Sequence, residues 1–320
     1  MLRNRWLLGL TALALLASDG VAAEPAKPAK PVRTQDVIYG RRDGLALTLD
    51  VIQPAGKPNG AALVVVISSG FDSSPKLIIP SVFAEAVKRG YTVFAVVHSS
   101  QPRYTVLEMR EDVDRAVRFV RHNAGRYGVD PDRIGIGGAS SGGLLALLVA
   151  VKPQPANKKA DDPVDRVDSR VQAVACFFPG TDYLNYGGRQ IIDVKDCHPD
   201  HRAAHDFRVW DPEEQLFKPV TDRDERRKIA FELSPISHIS KESPPTLLIH
   251  GTKDSVVPFQ QSESFVDKLK KAGVSAKLVP KEGADHGWPT ILDDLGTMID
   301  WYDVHLAPKA EKKGPDQPRK

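Results

Sequence analysis

Excess charge of either sign, cysteine and long apolar runs are all scarce in this 320-residue chain. The formal net charge is only +3 and no dense arginine–lysine stripe occurs, so nucleic-acid binding has no electrostatic support. Beyond the N-terminus no segment is long and apolar enough to span a bilayer. Two cysteines, Cys176 and Cys197, allow one bridge at most, and neither has the local surroundings of a catalytic thiol. No internal repeat is visible. The lysine of a P-loop and the G-x-G-x-x-G spacing of a dinucleotide site are missing too, so no cofactor is expected. Hydrophobic residues at 41% and charged residues at 27% describe an ordinary globular protein.

What is present begins with an export signal. Arg3 and Arg5 precede an apolar run from Trp6 to Ala17, and Val21-Ala22-Ala23 offers small residues for cleavage before Glu24. Residues 1–23 are thus expected to be removed after Ala23, leaving a secreted or periplasmic protein; an uncleaved anchor is the alternative. Residues 24–34 read as a Pro-, Ala- and Lys-rich linker and 308–320 as a disordered tail. In an oxidising compartment Cys176 and Cys197 can pair and staple the following insertion to the core, or stay as two free thiols; spacing does not decide.

Between these ends lies one domain, 35–307. Residues 35–39 and 45–52 read as a hairpin around Arg41-Arg42-Asp43-Gly44. The run Ala61 to Ile67 is apolar and β-branched, as in a strand buried on both faces of a parallel sheet. Strands are expected again at 91–97, 134–138, 171–177, 246–250 and 275–280. Helices are expected at 76–89, 105–124, 141–151, 259–271 and 290–305. Strands alternating with helices indicate a mainly parallel sheet covered on both faces, with the hairpin as an antiparallel edge. The stretch 181–241 is less regular and reads as an insertion.

The chemistry is announced at Gly138-Ala139-Ser140-Ser141-Gly142. It fits G-x-S-x-G, a sharp turn from strand to helix that lifts one serine hydroxyl. A serine hydroxyl is a weak nucleophile until a base takes its proton and a third group orients that base. Such groups sit on loops past the carboxyl ends of strands in an α/β sheet. Two loops of that kind follow: His250-Gly251-Thr252-Lys253-Asp254 with Val257-Pro258, and Gly283-Ala284-Asp285-His286-Gly287-Trp288. Ser140, Asp254 and His286 therefore appear in the order Ser…Asp…His. Asp285 competes weakly for the acid role and Ser141 for the nucleophile; His98 ends a strand at the same sheet edge and reads as structural rather than as a pocket residue.

With those three ordered motifs, and with Asp130-Pro131-Asp132-Arg133-Ile134 leading into the turn, the chain resembles the α/β-hydrolases of the esterase/prolyl oligopeptidase-like group. It is most similar to feruloyl esterase-like bacterial esterases, over roughly residues 36–305. The resemblance implies an α/β-hydrolase fold with about eight strands and a cap-like insertion at about 181–241. It also implies that Ser140 attacks an ester carbonyl, His286 serves as general base then acid, and Asp254 orients the imidazole. Of the oxyanion hole, the Ser141 N–H should supply one donor. The second should come from the loop after Ile67, where relatives carry His-Gly-Gly-Gly or Ser-Gly-Gly-Trp. Here the residues are Ser68-Ser69-Gly70-Phe71, which leaves Gly70 or Phe71, with Phe71 also walling the acyl pocket.

In the insertion, Tyr183, Tyr186, Phe207 and Trp210 are offered either to substrate or to core packing. Cys197, His198, His201 and His205, with Asp196 and Asp206, invite a metal reading, but Pro199 interrupts the run and no metal is assigned. The expected activity is that of a secreted serine carboxylesterase on small-molecule or polysaccharide-linked esters. A serine peptidase and a non-catalytic binding protein on the same fold are the rivals.

Overall fold

The computed structural model describes residues 30–308. The expected signal peptide, most of the linker and nearly all of the tail lie outside the described residues. Ten strands occur among those described: β1 (Val32–Arg42), β2 (Leu45–Gln53), β3 (Ala62–Ile67), β4 (Thr92–Val97), β5 (Ile134–Ala139), β6 (Ala173–Phe177), β7 (Arg208–Asp211), β8 (Leu216–Pro219), β9 (Thr246–Gly251) and β10 (Ala276–Lys281). The helices are α1 (Ala84–Lys88), α2 (Val106–His122), α3 (Ser141–Val151), α4 (Arg223–Glu232), α5 (Gln260–Lys271) and α6 (Leu295–His305). Eight strands make one sheet in the order β1-β2-β4-β3-β5-β6-β9-β10. It is parallel from β4 to β10, with β1 and β2 antiparallel at the edge. This is the α/β-hydrolase fold.

The parallel strands carry buried β-branched and alanine residues because helices cover both faces. Val64, Val66, Ile136 and Val174 pack toward α2 and α3 in one cluster, and Leu63, Val93, Ala173 and Leu247 toward α1 and α6 in the other. Every residue of α3 is buried; each leucine of the set Leu144, Leu145, Leu147 and Leu148 contributes roughly 1.5–3 kcal/mol by leaving water. Helix α2 shows a different composition, with valines and Met109 inward, Arg110, Asp112 and Asp114 buried beside them, and Arg115, Arg118 and Arg121 only partly covered. Glu108 closes its start by accepting from the Thr105 N–H at 2.7 Å.

Three expectations are corrected. The linker ends earlier than residue 34, since Val32, Arg33 and Thr34 already pair with Gln53, Ile52 and Val51 of β2. The helix expected over 76–89 survives only as α1; Pro75 and Pro80 break its first half into two 3-10 turns, because proline lacks the N–H that a continuing helix needs. The helix expected over 290–305 starts with a 3-10 turn at Ile291–Asp294 before α6. In the insertion, β7 and β8 form a separate hairpin. No helix among the described residues is long and apolar enough to cross a membrane.

Candidate active site

Ser140 sits between β5 and α3 with φ 53° and ψ −120°, a conformation that costs of order 1–3 kcal/mol for a non-glycine residue. The flanking glycines make the turn sterically feasible. A Cβ on Gly138 would lie 2.6 Å from the Gly142 carbonyl carbon, and one on Gly142 would lie 2.5 Å from the Val66 oxygen. The Ser140 N–H donates to the Phe177 oxygen at 3.0 Å. The turn is thus hydrogen-bonded to β6 and lies close against β3.

The order read along the sequence closes in space. Ser140 Oγ lies 3.0 Å from His286 Nε2, and His286 Nδ1 lies 2.7 Å from Asp254 Oδ2. These are hydrogen-bond distances within the reach a nucleophile, base and orienter require. Asp254 Oδ1 accepts from the Val256 and Val257 N–H groups at 2.9 and 2.7 Å. Phe178 lies against the imidazole of His286, ring centroids 4.4 Å apart. The two competitors are spent elsewhere. Asp285 Oδ1 accepts from Ser255 N, Ser255 Oγ and the His286 N–H, not from the ring. Ser141 Oγ contacts Ser68 Oγ at 2.9 Å and accepts from the Phe71 N–H at 3.2 Å.

One partner of the acid has no role in the sequence reading. His250, fully buried at the end of β9, places Nε2 3.2 Å from Asp254 Oδ2 and 3.0 Å from the Val257 oxygen. A carbonyl oxygen only accepts, so Nε2 carries the proton and donates to both. On its other side Nδ1 is 2.7 Å from Ser262 Oγ. Burial alone would push the Asp254 carboxyl up; the hydrogen bonds from His250 and His286, with the Val257 N–H, outweigh it and hold the carboxyl well below its ordinary range. The sequence signal was a polar residue closing the apolar run Leu247-Leu248-Ile249, four positions before the acid.

On the opposite wall stands the loop Ser68–Phe71. Gly70 and Phe71 both have positive φ, 57° and 69°, and Phe71 is buried. The Phe71 N–H faces the start of α3, whose first N–H groups have no partner within the helix. Gln101 ties this loop to the insertion: its Nε2 donates to the Gly70 oxygen at 3.1 Å and the Asp200 oxygen at 2.8 Å, and its Oε1 accepts from the Ala204 N–H at 3.2 Å. Nothing in the sequence marked Gln101, because its three partners are remote in the chain.

Beside Ser140 opens a pocket of about 240 Å³, walled by Phe71, Ser141, Leu144, Tyr183, Tyr186 and His201. Of the four insertion aromatics weighed above, Tyr183 and Tyr186 reach it. Phe207 is buried in the core and Trp210 stands on the β7–β8 hairpin against Phe217, half exposed. His98 is buried with Nδ1 2.5 Å from the Ser99 oxygen. Both cysteines are free, and burial pushes each thiol up to about 12. Cys176 faces the Gly143 oxygen beneath α3, while Cys197 faces the Asp193 oxygen within the insertion, so the bridge weighed above is not formed. Chemically, the site can deprotonate a hydroxyl, attack a carbonyl and stabilise an imidazolium.

A model of the BD-FAE family matches residues 49–269. The chain is 32% identical over 182 residues to LipM of Mycobacterium tuberculosis, a probable carboxylic ester hydrolase. That alignment covers 57% of this chain and 38% of LipM, so the chain spans well under half of that relative's length. A truncated carbohydrate esterase from gut microbiota superposes with a TM-score of 0.72 at 24% identity, covering 89% of this chain and 99% of that one. Esterase 2 of Thermogutta terrifontis, solved phosphonylated by sarin, superposes with a TM-score of 0.64 at 25% identity, covering 88% and 99%. Since the family model spans more than half of these 320 residues, the chain belongs to the BD-FAE family.

Proposed function

We propose that this protein is an exported serine carboxylesterase that works through an acyl-enzyme on small, acetyl or aromatic esters, including esters carried by polysaccharide. The observation that carries the reading is the continuous hydrogen-bonded line from Ser140 through His286 to Asp254. Ser140 Oγ attacks the ester carbonyl as His286 Nε2 takes its proton. Asp254 keeps His286 in the tautomer whose Nε2 is free to accept, and stabilises the imidazolium that results. The Ser141 N–H, at the positive end of α3, faces the oxyanion from one side, and the loop of Gly70 and Phe71, whose Phe71 N–H is held by Ser141 Oγ, walls the other. The imidazolium then protonates the leaving alcohol, and water, activated by the same His286, releases the acid.

A pocket of about 240 Å³ suits a compact acyl or sugar-borne ester, and the relatives named above are esterases. Export rests on the basic start, short apolar run and Val21-Ala22-Ala23. Replacing Ser140 with Ala is expected to abolish hydrolysis of 4-nitrophenyl acetate and labelling by a fluorophosphonate, a loss on the order of 10⁶ in kcat for a serine nucleophile. Turnover that survived this change would overturn the reading. N-terminal sequencing of protein recovered from the periplasm or medium should begin at Glu24.

A further inference from the structure

The insertion reaches into the oxyanion side of the site. Its 3-10 turn Pro199–His205 lays His201 directly over Gly70: a Cβ on that glycine would fall 2.7 Å from His201 Nε2 and 2.9 Å from Cδ2. Only glycine leaves room for the ring there. The ring also meets Phe71 edge-on at 5.8 Å, and it lines the same pocket as Ser140. One turn later His205 meets Phe71 at 5.2 Å and Tyr183 at 5.1 Å, and its buried Nδ1 has no partner among the described residues. The Gln101 side chain sets the spacing by bonding the Gly70 oxygen and both ends of the turn's Asp200–Ala204 stretch.

This arrangement meets a shortage. The loop Ser68-Ser69-Gly70-Phe71 lacks the paired glycines with which similar loops present backbone donors, and its Phe71 N–H is already engaged by Ser141 Oγ at 3.2 Å. We propose that His201 is a further catalytic residue, whose imidazole N–H donates to the ester carbonyl oxygen as negative charge develops on it. Gln101 is its positioning residue. Burial and the neighbouring His198 lower the proton affinity of His201, so at neutral pH the ring is uncharged and offers one N–H, the form in which a neutral imidazole polarises a carbonyl. The proposal rests on the esterase reading above.

The test compares wild type, His201→Ala and His201→Gln on a 4-nitrophenyl ester and an alkyl ester of the same acid. Loss of one oxyanion donor lowers kcat by about 10²–10³-fold, so the alanine variant should lose that much in kcat on both esters with KM little changed. The glutamine variant, whose amide N–H can take the place, should recover at least about tenfold of it. Should the alanine variant melt early, His201→Phe keeps the ring against Phe71, removes the donor and carries the same expectation. A kcat within threefold of wild type, a loss confined to KM, or a loss confined to the alkyl ester would each overturn the proposal while leaving the esterase reading intact. Wild-type protein that neither hydrolyses an ester nor labels at Ser140 would overturn both.

Discussion

Four donors converge on the Asp254 carboxylate, and this is the residue-level fact on which the candidate site turns. Oδ1 takes two backbone N–H groups, while Oδ2 is shared between His286 Nδ1 and His250 Nε2. The carboxylate therefore cannot rotate without breaking bonds on both oxygens. Replacing His250 with Leu keeps the volume but removes one hydrogen bond to a charged group, an interaction worth about 1.5–3 kcal/mol. We expect kcat on 4-nitrophenyl acetate to fall by about 10-fold or more with KM unchanged; an unaltered kcat in steady-state kinetics would show that His250 only fills space. Ser140, His286 and Asp254, which the fold brings into one hydrogen-bonded line, could be picked from the chain because each lies inside a local motif. His250 stood in the same motif, yet its aim at Asp254 depends on how the loop 252–257 folds back.

Among the elements, β5 and α3 form the platform, and α6 holds it from below. The Tyr302 hydroxyl accepts from the Ala175 N–H at 3.0 Å and donates to the Ile136 oxygen at 2.7 Å, in the ladder between β5 and β6. It fits there because Gly135 and Gly137 lack side chains: a Cβ on Gly137 would meet that hydroxyl at 2.7 Å. Tyr302→Phe leaves two buried backbone groups without this partner, and an unsatisfied buried group costs about 1–3 kcal/mol. The variant should melt several degrees lower in thermal denaturation, with Ser140 still labelled by a fluorophosphonate. The helices expected at 105–124, 141–151 and 259–271 stand as α2, α3 and α5, since one face or the whole surface of each is apolar. The one expected at 76–89 does not run through, because Pro80 cannot supply the N–H that a continuous helix needs there.

Acid sensitivity belongs to the whole molecule, because it compares the folded chain with the unfolded one. Burial lowers the pKa of His205 from 6.5 to about 3, and burial also lowers those of His98 and His238. Below about pH 6.5 the unfolded chain binds a proton that folded His205 refuses. Stability contributed by the neutral ring is therefore full above that pH and falls as pH drops toward 3. Each pH unit within the window costs about 1.4 kcal/mol per such group. His205→Phe keeps the aromatic contact and removes the titration, so between pH 7 and pH 5 it should lose about 2 kcal/mol less than wild type in urea unfolding. Equal losses in both proteins would count against a buried neutral His205.

Local chemistry explains what the amino-acid order alone determined: a mainly parallel sheet, one insertion, and the three residues Ser140, Asp254 and His286. Each follows from short-range rules, such as the burial of β-branched runs and the glycines that a strained serine turn requires. The tertiary structure alone decided which groups meet across long stretches of chain. It brought Gln101 and Gly70 against residues 200–204. Those contacts join segments up to about 130 residues apart through loops whose paths depend on packing rather than periodicity, and the spacing of residues along a chain carries no record of such paths.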